Sequence, residues 1–252
     1  MSDSPAELVT FVQTPYNMQP GKTRLTMTLL ISASLLCGSL SAQIKDPIKL
    51  GLKLSPNLSW LNPTTKDYTS GKVSAGATIG FVTEFYFTER YAITTGLNFS
   101  FLNGNLKYDD KIPITGDSTA SGHMYQKVRI TYIEVPLMIK MNTKLFGDFS
   151  FYGMAGFAAG FNLSSKANDE FVSYQGNPFN EKKDFGDNTT LMRGSVNIGI
   201  GSEYHLDTST RIFLGITYSN SLNNVLKGKN NITDSNVKAW LNYLELNIGI
   251  LF

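Results

Sequence analysis

The chain has two histidines, the residues best suited to acid–base chemistry at neutral pH. His123 stands in the segment KIPITGDSTASGHMYQK with Asp117, Ser118 and Ser121 nearby, and His205 sits beside the short segment DTS. A serine, a histidine and an acid can carry out acyl transfer, the histidine taking the hydroxyl proton as it attacks. The spacing here matches no nucleophile elbow, and polar loops contain such sets through composition alone. The reading is therefore not an enzyme, with an acyl hydrolase or transferase at a membrane surface as the weakest alternative. Metal chemistry fares no better. Tyr108-Asp109-Asp110 and Asn168-Asp169-Glu170 do not have calcium-loop spacing and read as solvated loop surface. The GxG strings are followed by no helix that could receive a phosphate. No catalytic, metal-binding or cofactor-binding residue is assigned, and no cofactor.

More of the charge lies inside apolar runs. In KLGLKLSPNLSW, Leu50, Leu52, Leu54, Leu58 and Trp60 alternate with Lys49, Gly51, Lys53, Ser55, Asn57 and Ser59. Such alternation marks a strand whose two faces meet different media. The same period returns in 73–87, 91–101, the stretch around 132–141, 149–163, 193–206, 211–219 and 240–252, with no competing helical stripe. Connections alternate between tight (88–90, 142–147, 207–209) and long (61–72, 102 to about 127, 164 to about 190, 220–238). That asymmetry belongs to outer-membrane barrels. The fold expected is all-β: an eight-stranded antiparallel up-and-down transmembrane β-barrel, with both mature termini at the trimmed, periplasmic end.

In such a barrel the leucines face lipid and the lysines face the lumen. Eight strands leave a bore that side chains fill, and buried charges must be paired. Lys49, Lys53, Glu84, Glu134, Lys140, Arg193, Glu203, Arg211 and Glu245 are therefore expected to form a structural ion-pair network in the lumen, in preference to an ion pathway. Pro136 cannot donate to a ladder and is read as a bend that turns Glu134 toward a lumen cation, in preference to a ligand site. Aromatic residues near strand ends, among them Trp60, Phe85, Tyr91, Phe149, Tyr204, Tyr218 and Trp240, fit interfacial girdles. Phe252 ends the last apolar series and reads as an assembly signal.

The start of the chain points to export. Lys22 and Arg24 precede an apolar run from Met27 to Leu36, and SLSAQ follows, the parts of a secretory signal with cleavage after Ala42. Residues 1–42 are thus read as an N-terminal extension plus signal peptide, with Met18 or Met27 as the true start, and 43–252 as the barrel domain. Cys37, the single cysteine, falls in the leader, so the mature domain has neither disulfide nor thiolate site. A net charge of +2 gives no reason to expect a nucleic-acid partner.

At YIEVPLMIK, 132–140, the chain resembles the PorT-like family of outer-membrane β-barrel proteins from Bacteroidota. LGLKLSPNLS, RYAITTGLNFS, YGMAGFAAGF and the closing LELNIGILF are similar as well. The resemblance implies an eight-stranded barrel in the outer membrane, whose namesake takes part in type IX protein secretion. Expected partners are outer-membrane lipid, the barrel-assembly machinery, and secretion-system or surface proteins. The function expected is a small closed barrel that works through its external loops as an interaction or assembly protein. A narrow pore for small solutes and a soluble secreted β-protein are the other readings.

Overall fold

A computed structural model describes residues 47–113, 119–174, 178–230 and 235–252. The expected leader, and Asp117 and Ser118, lie outside them. Among the described residues ten strands follow one another: β1 (Ile48–Pro63), β2 (Tyr68–Ser70), β3 (Ser74–Tyr86), β4 (Tyr91–Pro113), β5 (Thr119–Asn142), β6 (Phe149–Ser173), β7 (Pro178–Asp184), β8 (Met192–His205), β9 (Arg211–Ser221) and β10 (Ala239–Leu251). Eight of them form an antiparallel ring in the order β1-β3-β4-β5-β6-β8-β9-β10, and β10 pairs back onto β1. Closure gives the backbone donors and acceptors of every ring strand a neighbour on both sides, the condition hydrocarbon imposes.

Side chains sort across this wall in the sense opposite to a soluble sandwich. Leu52 is 47% exposed, Ile79 54% and Ile248 46%, while Lys49 is 3% exposed and Glu245 4%. Large apolar residues thus cover the outside and polar ones fill the bore. Paired rings mark the belt's edges: Phe149 against Tyr204 at 4.9 Å and Phe87 against Tyr91 at 6.1 Å near the tight turns, and Trp60 against Tyr218 at 6.2 Å toward the other end. In the tight turn after β8, the Asp207 carboxylate accepts the Ser209 and Thr210 N–H groups, each at 2.7 Å. Those donors, Thr210 foremost, hold its carboxyl below the ordinary carboxylate range.

Two of the expected long loops are mostly strand. β4, β5 and β6 run for 23, 24 and 25 residues, about twice the 9–11 that a membrane requires. β4 and β5 stay in register from Tyr91–Met141 to Pro113–Thr119, so within the segment read as a loop from 102 to 127 residues 102–113 and 119–127 are paired strand continuing out from the barrel. β6 likewise continues past 164 and folds back with β7. Periodicity concealed this, because the side-chain code reverses along the same strands. On β4 the inward series runs Thr94, Asn98, Ser100 and then Leu102 and Leu106; on β5 it runs Lys140, Glu134 and then Tyr132, Ile130 and Val128. Beyond the belt the inside becomes apolar and the outside charged, the order of a water-soluble protein.

One extra residue in β6 keeps that strand in step. Thr131 pairs with Ser164 but Tyr132 pairs with Asn162, so a bulge at Leu163 shifts the alternation by one. Without it Lys166 would point inward; with it Ala167 and Phe171 do, and both are buried. The extensions enclose a core of Leu61, Leu102, Leu106, Val128, Ile130 and Leu241, to which the β9–β10 connection adds Val225 and Leu226. Leu61 packs over Gly104, where a Cβ would come within 2.4 Å of its Cγ. Tyr68 on β2 stacks on Tyr108 of β4 at 4.3 Å, and burial raises both phenols above the ordinary tyrosine range. The acidic triplets are not solvated loop surface. Asp110 and Asp169 are buried, and Asp169 accepts from Gln126 at 2.9 Å.

The extensions and their apolar core form a cap over the belt, and the cap is expected to open before the barrel does. Leu106→Ala is expected to cost about 2–5 kcal/mol in the cap. Limited proteolysis should then cut between 102 and 130, while the heat-modifiable gel mobility of the barrel is retained.

Candidate functional site

The lumen holds the residues that alternation singled out. Near the tight-turn end, Lys140 on β5 donates to Glu84 on β3 at 2.6 Å and to Glu203 on β8. Glu203 also receives Arg211 at 3.0 Å, and Glu84 receives the Tyr86 hydroxyl at 2.8 Å. Lys140 further lies 4.4 Å from the centre of the Tyr152 ring. Lys49 is buried beside this group and donates to the Ser209 carbonyl at 2.9 Å. Midway, Lys53 on β1 bridges Glu245 at 2.9 Å and Asn247 at 3.1 Å, both on β10.

The deepest pair sits under the cap. Arg193 donates to Glu134 at 2.8 Å, to Ser221 at 2.8 Å, to Ser219 at 2.9 Å and to the Leu241 carbonyl at 3.1 Å. Glu134 accepts from Ser100 at 2.6 Å and from the Tyr243 hydroxyl at 3.1 Å. Register explains how the two charges meet. Glu134, Gly160 and Arg193 lie directly across from one another on β5, β6 and β8, so a glycine separates them. A Cβ on Gly160 would stand 3.2 Å from Glu134 Cγ. Small residues do the same work lower down, where the Tyr152 ring lies against Gly201 and Gly215.

Pro136 interrupts only one ladder. Pairing between β4 and β5 lapses between Thr95–Leu137 and Asn98–Glu134, whereas Pro136 stays in register with Ala158 of β6. The Thr95 hydroxyl donates to the Pro136 carbonyl at 2.7 Å across the gap. Glu134 lies just past it, facing Arg193. Between the two charge clusters remains a cavity of about 60 Å³, lined in part by Lys53, Lys140 and Met154. Asn98 Oδ1, Asn197 Oδ1 and Glu245 Oε2 lie within its lining and have no protein partner; such a space suits water.

The histidines are placed apart from each other. His123 lies on β5 directly across from Asp109, with Nδ1 2.6 Å from the carboxylate, both exposed at the long-strand end. Its pairing is a cross-strand contact on an extended hairpin; Asp117 and Ser118 fall outside the described residues. His205 Nε2 lies 2.9 Å from Ser150 Oγ at the tight-turn end, and 4.0 Å from Glu203. Serine and carboxylate approach the same ring nitrogen, and among the described residues no acid meets the imidazole from its other side as a triad requires. Phe252 is exposed on the lipid-facing side, and its N–H and carbonyl pair with Leu50. The tyrosines Tyr86 and Tyr243, together with Ser219 and Ser221, complete the network. The parity of the charged residues marks their face, but no sequence signal assigns them partners.

Residues 41–227 match the family described as outer membrane protein beta-barrel domain. The chain belongs to that family. This outer-membrane barrel is also similar to solved structures at low identity. Neisserial surface protein A shares 10% identity over 81% of this chain and 96% of its own, with a TM-score of 0.42. Ail of Yersinia pestis shares 11% over 81% and 98%, at 0.32, and OprG from Pseudomonas aeruginosa 8% over 81% and 95%, at 0.37. No curated protein matches the chain.

In this barrel, removing one member of the deepest pair strands the other. Glu134→Ala is expected to lower stability by about 3–5 kcal/mol, because Arg193 stays buried without its counter-charge. The paired replacement Glu134→Leu with Arg193→Met should recover most of that loss. Urea unfolding in lipid vesicles measures both.

Proposed function

We propose that this outer-membrane barrel is a closed, non-conducting scaffold that presents its long-strand extension to other proteins at the cell surface, as an interaction or assembly protein and not an enzyme. One observation carries the reading. The bore is crossed by paired charges and is then covered by an apolar core on the same strands. A channel needs a continuous wet path, and a dry core lies across the one available here. Among the described residues the extension is the large feature that the belt does not need, and surface features on a rigid scaffold are where recognition is found.

The reading includes an orientation: both mature termini face the periplasm, since the tight turns lie at that end, and the extension faces outward. Phe252 serves as the signal read by the assembly machinery. The nine lumen charges are structural, filling the bore and setting its register. The resemblance to the PorT-like family adds an accessory role in type IX secretion. Deletion of the chain, followed by quantifying exported surface proteins and co-purified partners, tests that role; unchanged export would remove it.

Planar-bilayer recording tests closure directly. The intact barrel is expected to give no steady single-channel current, and removal of residues 102–130 should still leave the Arg193–Glu134 layer blocking conduction. Steady current from the intact protein would establish a narrow pore in place of the scaffold.

A further inference from the structure

Just beyond the lipid-facing belt, the outer surface of β5, β6 and β7 becomes cationic. Outward residues on β5 run Leu137, Val135, Ile133 and Thr131, then Arg129 and Lys127. On β6 they run Phe157, Phe161 and Leu163, and past the bulge Lys166 and Asn168. Register sets Arg129 directly opposite Lys166, and Asn168 between Lys127 and Lys182. Like charges facing each other across a ladder are destabilising, so this arrangement calls for an anion. Asp184 lies directly across from Lys166 and is the one acid among the described residues bordering the patch, against four cations. Among the described residues none of the four cations is in an ion pair. Asp184, the acid nearest in register, accepts the Gly186 N–H at 3.0 Å. The four cations and Asp184 border a concavity of about 520 Å³.

Depth identifies the anion. Lys166, directly across from Arg129, lies three residues past Leu163, the last outward apolar residue before it on β6, which at ~3.3 Å per residue and a tilt near ~40° is roughly 7 Å above the apolar belt. Headgroup phosphates occupy that level. A guanidinium beside flexible ammonium groups suits a phosphate, which offers several charged oxygens to a planar fork and to point charges at once. The stems of the lysines can lie along apolar surface while their ends reach the headgroup.

We infer that Lys127, Arg129, Lys166 and Lys182 form a binding site for the phosphate of an outer-leaflet lipid. The leaflet rests on the orientation proposed above; the phosphate chemistry does not. The site would fix the barrel's depth and rotation, holding the extension at a set height over the membrane.

The test uses the full barrel in phosphatidylcholine vesicles doped with bisphosphorylated lipid A or with its dephosphorylated form, read by native mass spectrometry and by a fluorescence titration. The phosphorylated lipid is expected to bind, and Arg129→Gln with Lys166→Gln to weaken it by roughly tenfold or more. Lys144→Gln, in a tight turn at the other end, should change nothing. In vesicles without phosphorylated glycolipid the double variant should unfold at higher urea than the parent, since the Arg129–Lys166 repulsion is removed and neither cation forms an ion pair among the described residues. Equal binding of the dephosphorylated lipid, or an unaffected double variant, would overturn the site. Inorganic phosphate or a lipid-free sulfated polysaccharide competing at the same concentrations would reassign it to a soluble anion and overturn the lipid assignment. Orientation is read separately, by labelling Glu181→Cys on intact cells with a membrane-impermeant maleimide. Absence of label would move the site to the inner leaflet and defeat the outward reading while leaving vesicle binding intact.

Discussion

Hydrocarbon offers no hydrogen bonds, and the rest of this structure follows from that. A chain that crosses it must pair its peptide groups internally, and a sheet can do so only by closing on itself. Closure to eight strands in turn leaves an interior that side chains have to fill. Since alternate residues point inward, the filling is set residue by residue along every strand. Lys49, Lys53, Glu84 and Glu134 are therefore packing elements as much as charges. They occupy a volume largely withdrawn from bulk solvent, and each is held by named partners.

Buried ion pairs are a weak source of net stability, because desolvation offsets most of their attraction. Their value here lies in geometry. Arg193 reaches Glu134 only because Gly160 stands between them in register, and a slip of one residue on β6 would place Ala159 or Phe161 in the gap and turn Gly160 outward. The network thus penalises every wrong register in proportion to the charges it would strand. An apolar lumen would tolerate such slips more readily. Specificity of strand pairing is a sufficient reason for so much charge in the bore, and it explains why the hydroxyls of Ser100, Ser219 and Tyr243 accompany the Arg193–Glu134 pair.

Within the membrane belt the architecture is legible from residue types, since alternation there keeps one sense over the whole span. The ring, its strand order and the inward face of each charged residue all follow from it. Above the belt the same code misleads. Leu102, Leu106 and Val128 continue the inward parity of Ser100 and Glu134 but change its polarity, so a search for polar-in, apolar-out strands stops where the strands do not. The bulge at Leu163 adds a second disguise, because it moves Lys166 to the face that simple alternation would deny it. Partners inside the lumen were not legible at all. Which glutamate meets Lys140 depends on stagger between non-neighbouring strands, and no single strand carries that information.

Two prolines test how far the closure constraint can be relaxed. Pro136 leaves a gap in the β4–β5 ladder, and Pro56 coincides with another in β1–β10, where pairing lapses between Leu54–Ile248 and Asn57–Glu245. Each proline remains in register with its other neighbour, Ala158 or Ala77. The missing donor is thus confined to one seam, and at Pro136 the Thr95 hydroxyl bonds the freed carbonyl. Gly96 sits in the same gap at φ 156, where a Cβ would fall 2.0 Å from the Phe81 carbonyl. The two gaps lie on different seams, so neither seam loses more than one segment of its ladder and the ring stays closed. Relaxing the wall locally lets Glu134 and Asn57 turn into the bore without forcing the strands apart, a tolerance that an open sheet edge in lipid would not have.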